Sequence, residues 1–296
     1  MNYNRLLLSY ARNGLFEPLR KSAYRKFCRH NKGKSTVTQT KKGFLIATTI
    51  GDSVDNLIYV HGLYEPETTH VISTLSPYCE CFIDVGCNIG YFSCLYCSKN
   101  PHGKLFAIDP NPLMIQRTEQ NLKLNDFKNY HMLNYGIASE NGKLRLNMLR
   151  FRHSLSSFAY IPNRGGGGPV DGIDVETRPL RDIISAENIR NALLKVDTEG
   201  FEYQVFSGLS EETVERIKYI VFELSSSNLK KAGISPSSIF NLPNIKKFSV
   251  YNIYEQGTIA EVNPQTLTRN EHINSNILLV RKDIGPKQSL PLTLLL

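Results

Sequence analysis

Short apolar runs alternate with helical patterns between residues 81 and 224 of this chain. The runs are rich in Ile, Val, Leu and Phe and lack polar alternation, which is typical of strands covered on both faces. Strands are predicted over 81–85, 104–109, 130–135, 193–197 and 219–224, and helices over 91–99, 112–125, 179–190 and 202–216. This alternation predicts a parallel sheet with right-handed crossovers. Later runs at 247–254 and 276–281 are predicted as an antiparallel end to the sheet.

The first 80 residues follow a different pattern. They predict a helix over 4–30 interrupted near Gly14 and Pro18, a polar loop over 31–42, a small β hairpin of strands 43–49 and 57–60, and a helix over 66–75. Further along, the Gly165–Gly168 run is predicted to be a mobile loop, because consecutive glycines are costly to order.

The charge of the chain is concentrated near its start. Residues 1–42 contain eleven Lys or Arg and one acid, Glu17, whereas the other 254 residues carry a net charge of −2. We therefore predict a basic helical arm over 1–42 and a separate main domain over 43–296. The arm is either a solvated or domain-covering helix or a peripheral contact with an anionic membrane surface. No nucleic-acid partner is expected, because the main domain shows no basic groove with interleaved aromatic residues.

The apolar content of 41% predicts a buried core. No apolar run reaches the length of a membrane span or of a secretory signal, so we expect a cytoplasmic protein, peripheral on an inner membrane face if the arm docks there. The six cysteines stand at 28, 79, 81, 87, 94 and 97. Most of them lie in apolar patterns, which favours core thiols over a zinc site.

The most informative segment follows the first strand of the series. Asp84 ends this strand, and a Gly86-x-Asn88-x-Gly90 turn leads into a helix. The glycines let the backbone approach a ligand closely, and Asn88 tolerates left-handed geometry. Ligands of open α/β sheets bind at the carboxyl ends of the strands, so this turn marks the predicted site.

The residues favour S-adenosylmethionine as the ligand. The dinucleotide fingerprint and the Gly-Lys-Ser/Thr phosphate loop are both absent. Asp84 would repel a pyrophosphate but attract an amino group and a sulfonium. Asp109 ends the second strand, where a carboxylate can accept hydrogen bonds from the ribose hydroxyls of an adenosine.

Three ordered motifs resemble the FkbM-type S-adenosylmethionine-dependent methyltransferases. They are Asp84-Val-Gly-Cys-Asn-Ile-Gly90, Ile108-Asp-Pro-Asn-Pro112 and Leu194-Lys-Val-Asp-Thr-Glu-Gly-Phe-Glu202. An upstream Tyr64-Glu65 pair also matches, and the second motif has Asp where the family usually has Glu. The resemblance covers roughly residues 43–225.

The resemblance implies a Rossmann-like class I methyltransferase fold: a seven-stranded, mostly parallel sheet with an antiparallel last strand. It also implies methyl transfer, commonly to a hydroxyl of a sugar or natural product. The candidate cofactor-binding residues are Glu65, Asp84, Gly86, Asn88, Gly90, Asp109 and Asn134. Tyr64 and Glu65 would close over the methionine end of the cofactor or, alternatively, form a surface contact of the hairpin.

Acids gather near the later strand ends. Methylation of an alcohol needs a group that removes the hydroxyl proton, and Asp197, Glu199 and the loop residue His153 are the candidate bases. Alternatively, Asp197 and Glu223 bind a divalent ion, for which all-oxygen ligands suit Mg²⁺. The alternative is a purely structural role, in which Glu199 caps a helix and Glu202 is a solvated residue of its first turn.

The main functional hypothesis is O-methylation of a glycan or another small hydroxylated metabolite. An RNA or protein methyltransferase of the same fold is one alternative, although the Asn-Pro-Pro-Tyr-type tetrapeptide of amino-group methylators is absent. A non-catalytic S-adenosylmethionine-binding scaffold is the other. The pattern leaves the acceptor and the oligomeric state open.

Overall fold

The computed structural model describes residues 3–13, 17–149, 152–157, 170–270 and 272–284. Its α-helices are α1 (Tyr3–Asn13), α2 (Glu17–His30), α3 (Ser53–His61), α4 (Pro66–Leu75), α5 (Tyr91–Lys99), α6 (Pro112–Leu124), α7 (Leu180–Ala186), α8 (Glu202–Ser207), α9 (Glu211–Val214), α10 (Ser226–Lys231), α11 (Pro236–Asn241) and α12 (Pro264–Leu267). Its strands are β1 (Ser35–Gln39), β2 (Leu45–Thr49), β3 (Cys81–Val85), β4 (Lys104–Ile108), β5 (Tyr130–Leu133), β6 (Gly136–Ile137), β7 (Gly142–Leu149), β8 (Arg152–Ser157), β9 (Val170–Arg178), β10 (Ala192–Val196), β11 (Ile217–Ser225), β12 (Phe248–Ile253), β13 (Ile259–Glu261) and β14 (Asn274–Arg281). The predicted loop at Gly165–Gly168 lies outside the described residues.

The central sheet confirms the predicted α/β fold. Its strand order is β13-β12-β14-β11-β10-β3-β4-β5, and the five strands from β11 to β5 run parallel. The last strand, β14, pairs antiparallel with both of its neighbours, β11 and β12, as the resemblance implies. The sheet has one strand more than the seven expected. This strand, β13, is a three-residue edge strand, too short to give a periodic signal in the sequence.

Side-chain alternation along the strands gives the sheet two apolar faces. Phe82, Leu193 and Val221 belong to one buried cluster, whereas Ile83 and Leu194 belong to the other. Helices α4, α5 and α6 cover the first face with apolar residues such as Val71, Leu95 and Met114. Because successive side chains of a strand point to opposite faces, Asp84, Lys195 and Glu223 lie on the face of the first cluster. The register pairs Lys195 directly with Asp84.

Several predicted elements agree closely with the structure. Helices α4 and α5 and strand β3 have the predicted bounds, and the other predicted strands from β4 onwards differ by at most two residues at either end. Five of the six cysteines are buried free thiols and Cys28 is half-buried, as the prediction of core thiols requires. In the described part of the chain, no helix is long and apolar enough to cross a membrane.

The predicted hairpin exists, and the strand predicted over 43–49 is confirmed as β2, but its partner is a different segment. Residues 35–39, predicted as loop, form β1, which pairs antiparallel with β2. Residues 57–60, predicted as strand, lie in α3 instead. The reason is capping: the Asp52 side chain accepts from the Val54 N–H, and Gly62 ends the helix in left-handed geometry. These caps override the β-branched, aromatic pattern between them.

Two further expectations are corrected. The helix predicted over 202–216 is divided into α8 and α9, because Ser210 and Thr213 form a capping box that starts a new helix. Asn244 secures the break by donating to the carbonyls of Phe206 and Leu209 at 2.7 and 2.9 Å. The second correction is a separate sheet of order β6-β9-β7-β8, which the sequence analysis did not predict.

A buried ion pair connects the hairpin region to helix α6. The fully buried Asp55 of α3 accepts hydrogen bonds from both terminal nitrogens of Arg117 on α6. It also accepts from the Thr49 N–H of β2 at 2.6 Å. Asn121 of α6 accepts from the Ala47 N–H at 2.8 Å, and Arg117 donates to the Ala47 carbonyl at 3.3 Å, so helix α6 holds both backbone groups of this residue of the hairpin strand.

We expect Arg117→Met to lower the free energy of unfolding by about 3 kcal/mol, because it leaves the Asp55 carboxylate buried without its cationic partner. Lys123→Met is the matched control, since it removes the exposed i,i+4 pair with Glu119, which contributes less than about 1 kcal/mol. Urea denaturation measures both. Similar losses in the two variants would show that Asp55 does not depend on Arg117.

Candidate active site

The glycines of the first turn allow two close backbone approaches. Gly86 has a φ of 80°, and a Cβ added to it would lie 1.9 Å from the carbonyl oxygen of Asp197. Gly90 also has a φ of 80°, and its added Cβ would lie 2.6 Å from Thr118 Cγ2. Both positions therefore require glycine so that β3 can pack against the β10 loop and α5 against α6.

The same turn holds two buried oxygen atoms that lack a hydrogen-bond partner. Asp84 is fully buried; its Oδ2 accepts from the Ser93 hydroxyl at 2.6 Å, while its Oδ1 has no partner among the described residues. Asn88 adopts the expected left-handed geometry, with a φ of 52°, and its Oδ1 is also buried and unpaired there. A buried polar atom without a partner is costly, so both oxygens are ready to accept from a ligand.

Asp109 lies beside this turn, as predicted for neighbouring strand ends. Its two carboxylate oxygens accept from the backbone N–H groups of Asn88 at 3.0 Å and Asn111 at 2.8 Å. The residue is 7% exposed, and burial raises its pKa to about 7. Because each carboxylate oxygen can accept a second hydrogen bond, Asp109 retains acceptor capacity for a ligand.

Asn134 also lies at this edge, but its side chain serves the backbone. Its amide donates to the carbonyl oxygens of Asp109 at 2.9 Å and Pro110 at 3.2 Å. Asn134 therefore orients the end of the second strand, and its role as a direct cofactor ligand remains a prediction.

A buried lysine, which the sequence analysis assigned no role, lies between the candidate acids. Lys195 is 4% exposed, and its ammonium group donates to Asp197 Oδ2 at 3.0 Å. The Nζ atom also lies 4.8 Å from the centre of the Phe92 ring. Burial alone lowers the pKa of Lys195, but the charges of Asp197, Asp84 and Glu65 outweigh it and raise that pKa. The ammonium group therefore stays charged.

Glu65, Asp197 and Glu223 line one small cavity together with Lys195. Glu65 has left-handed geometry, with a φ of 38°, at the start of α4, a strained conformation for a residue with a side chain. Burial, followed by the charge of Asp197, raises the pKa of Glu65. The same two causes raise the pKa of Glu223 to about 8. The cavity thus combines one fixed cation with two carboxyl groups, Glu65 and Glu223, whose protonated forms are favoured by burial.

The loop after β10 supplies two further acids with different roles. Glu199 is left-handed, with a φ of 53°, and Asn228 donates to its carboxylate at 2.9 Å. Burial, followed by the charge of Asp197, raises the pKa of Glu199 to about 7. Glu202 is 2% exposed rather than solvated, and its Oε1 accepts from Thr198 and from the Gly200 N–H. Glu202 therefore fixes the loop that presents Asp197 and Glu199.

The arrangement of the acids does not fit a resident divalent ion. Within the described ranges, no group of three or more His, Cys, Asp or Glu side chains is placed to hold a metal ion. The cation beside Asp197 is the Lys195 ammonium group, which would repel a second cation at the same carboxylate. Mg²⁺ binding by Asp197 and Glu223 therefore lacks support in the geometry.

His153 lies in β8 of the second sheet. The position of its side chain is outside the described part of the structure, so its role as a base stays a prediction.

Comparison with known proteins identifies the family of this chain. The sequence model of the methyltransferase FkbM domain matches residues 84–264, which is more than half of the chain. The chain therefore belongs to the FkbM methyltransferase family. The match begins at Asp84 and includes the strand ends described above.

Two methyltransferases are similar to this chain in sequence. Methyltransferase sdnD of Sordaria araneosa is 31% identical over 185 residues, which cover 52% of this chain and 68% of that protein. Methyltransferase 1 of Beauveria bassiana is 26% identical over 160 residues, which cover 49% of this chain and 64% of that protein. The crystal structure of methyltransferase FkbM from Methylobacillus flagellatus aligns with 89% of this chain and 60% of that chain, at 13% identity and a TM-score of 0.43.

We expect Glu223→Gln to stabilise the protein progressively as the pH rises. The folded protein retains the Glu223 proton up to a pH of about 8, whereas the unfolded chain loses it near 4.5. The wild-type free energy of unfolding therefore falls with rising pH across this window, and the glutamine removes that contribution. Melting temperatures measured between these pH values test the slope. Glu119→Gln, on the surface of α6, is the control that should leave the slope unchanged.

Proposed function

We propose that this protein is an S-adenosylmethionine-dependent O-methyltransferase whose acceptor is a hydroxyl group of a sugar, a glycan or a small natural product. One observation carries the proposal. The buried, unpaired oxygens of Asp84 and Asn88 lie at the end of β3, and the acid-lined cavity with Lys195 lies at the end of the adjacent strand, β10. A methyl donor and a deprotonating group would therefore meet at one edge of the sheet.

The residues of the first turn fit the donor. The unpaired oxygens can accept hydrogen bonds from its amino group, and Asp109 can accept from its ribose hydroxyls. The carboxylates nearby also favour a sulfonium cation over an anionic ligand. When bound, S-adenosylmethionine supplies an activated methyl group.

The acids of the cavity fit the acceptor half of the reaction. The acceptor oxygen forms a bond to the methyl carbon, the carbon–sulfur bond breaks, and the hydroxyl proton passes to a carboxylate. A base is most effective when its pKa lies near the working pH, and Glu223 at about 8 meets this condition inside the cavity. Asp197 and Glu199 remain the other candidates, with Asp197 held by Lys195.

Lys195 takes the place that the sequence analysis gave to a metal ion. Its ammonium group orients the Asp197 carboxylate and supplies a fixed positive charge beside the acceptor oxygen as that oxygen loses its proton. We therefore infer that methyl transfer does not depend on added Mg²⁺.

Calorimetry and a labelled donor test the main proposal. We expect the full-length protein to bind S-adenosylmethionine, and Asp109→Ala to weaken binding by about tenfold or more, because hydrogen bonds to a charged group are lost. Glu119→Ala is the surface control. The labelled methyl group should appear on members of a panel of monosaccharides and hydroxylated natural products. Transfer only to RNA or protein would favour the first alternative, and binding without any transfer would favour a scaffold.

Variants of Lys195 test its role in the mechanism. We expect Lys195→Met to lower kcat by about a hundredfold or more while Lys195→Arg recovers part of the loss, because arginine keeps the positive charge. Chelation with EDTA should leave wild-type activity unchanged. The pH–rate profile of the arginine variant should shift, since the charges of Asp197, Asp84 and Glu65 act on the ammonium group and Glu223 lines the same cavity. Full activity of the methionine variant, or a requirement for Mg²⁺, would contradict this role.

A further inference from the structure

The basic arm is docked on the main domain by its inner side. Ala11 of α1 and Ala23 and Phe27 of α2 are buried against Ile50 and Val60. The Phe27 ring stacks on that of Tyr59 with centroids 5.6 Å apart. The Arg12 side chain donates to the carbonyl oxygens of Val60 at 2.7 Å and Tyr59 at 3.0 Å. The arm is therefore a fixed part of the surface rather than a free tail.

The outer side of the arm exposes large apolar residues. Leu6 and Tyr10 are 50% and 37% exposed, and Leu19 at the start of α2 is 54% exposed. Leu6 and Tyr10 are four residues apart on α1, so their side chains lie on one face of that helix. Other apolar residues, on the inner side, dock the arm on the main domain. Packing within the described residues therefore does not explain why Leu6, Tyr10 and Leu19 are apolar.

Most of the other exposed positions of α1 and α2 are basic. Arg25, Lys26 and Arg29 are exposed on α2, and Arg5 is exposed on α1. Arg25 and Arg29 are four residues apart and therefore share a face of the helix. Residues 1–42 contain a single acid, so little within the arm neutralises this charge. Exposed apolar side chains among basic ones are typical of helices that lie in the plane of a membrane surface.

We propose that the outer face of α1 and α2 docks on an anionic lipid surface, with Leu6, Tyr10 and Leu19 entering the headgroup region and the basic side chains facing lipid phosphates. Each Lys or Arg near such a surface adds to the binding, and Tyr is favoured at headgroup depth. A nucleic acid would pair with the charges but would leave Leu6 and Leu19 in water. Because the rest of the chain is near neutral, the docking is confined to the arm.

Co-sedimentation of the full-length protein with lipid vesicles tests the proposal. The protein should bind vesicles that contain phosphatidylserine at low salt, and much less to pure phosphatidylcholine vesicles or at high salt, because salt screens the attraction. The triple variant Arg25→Glu, Lys26→Glu, Arg29→Glu should bind about tenfold more weakly or worse. Lys128→Glu, Lys143→Glu, Lys230→Glu is the matched control, since it reverses three exposed lysines outside the arm.

A second pair of variants separates the apolar contribution from the charge. Leu6→Ser with Leu19→Ser should weaken vesicle binding while leaving its dependence on salt intact, since the basic residues remain. Melting temperatures confirm that each variant is folded. Equal binding by the charge-reversed protein, no vesicle binding at low salt, or a mobility shift with RNA in the absence of vesicle binding would overturn the proposal.

Discussion

One buried ammonium group balances the carboxylates on which this site is built. Lys195 lies on β10 directly beside Asp84 of β3 and donates to Asp197. The charge of Glu65 also raises the pKa of Lys195. Buried charges are tolerated only when they are paired, so the lysine makes this concentration of acids possible. Three carboxyl groups lie near one ammonium group, so those that ionise in addition to the partner of Lys195 add negative charge at the strand ends, which favours a cationic ligand over an anionic one.

The second constraint on the site is the close contact of main-chain segments. Gly86 meets the Asp197 carbonyl, and the Asp197 N–H donates to the Val85 carbonyl at 3.0 Å. The turn after β3 (residues 86–90) and the acid cluster are therefore held by the same backbone contact. This contact explains why the first family motif, at the end of β3, lies next to the third, which begins in β10.

Polar contacts of α6 link the hairpin region, on which the arm packs, to the same scaffold. Arg117 of α6 donates to Asp55 of α3. Thr118, the next residue of α6, donates to the Asn88 carbonyl in the turn after β3 at 2.7 Å. Helix α6 thus contacts the candidate site on one side and the arm's support on the other. The surface that faces a lipid in our proposal is therefore fixed in orientation relative to the strand ends.

The sequence by itself determined the parallel sheet, the strand ends and the Gly86–Gly90 turn, because apolar runs, glycine spacing and acids at strand ends are local signals. Asp84, Asn88 and Asp109 lie where that pattern placed them. Tertiary structure decided the rest. Residues 57–60 are helical because of the caps at Asp52 and Gly62, and Glu202 is buried by its contacts with the loop after β10. The role of Lys195 depends on partners from other strands, which the sequence around a lysine in a strand does not indicate. Pairing across strands and pKa shifts arise from neighbours distant in sequence, and only the folded chain brings these neighbours together.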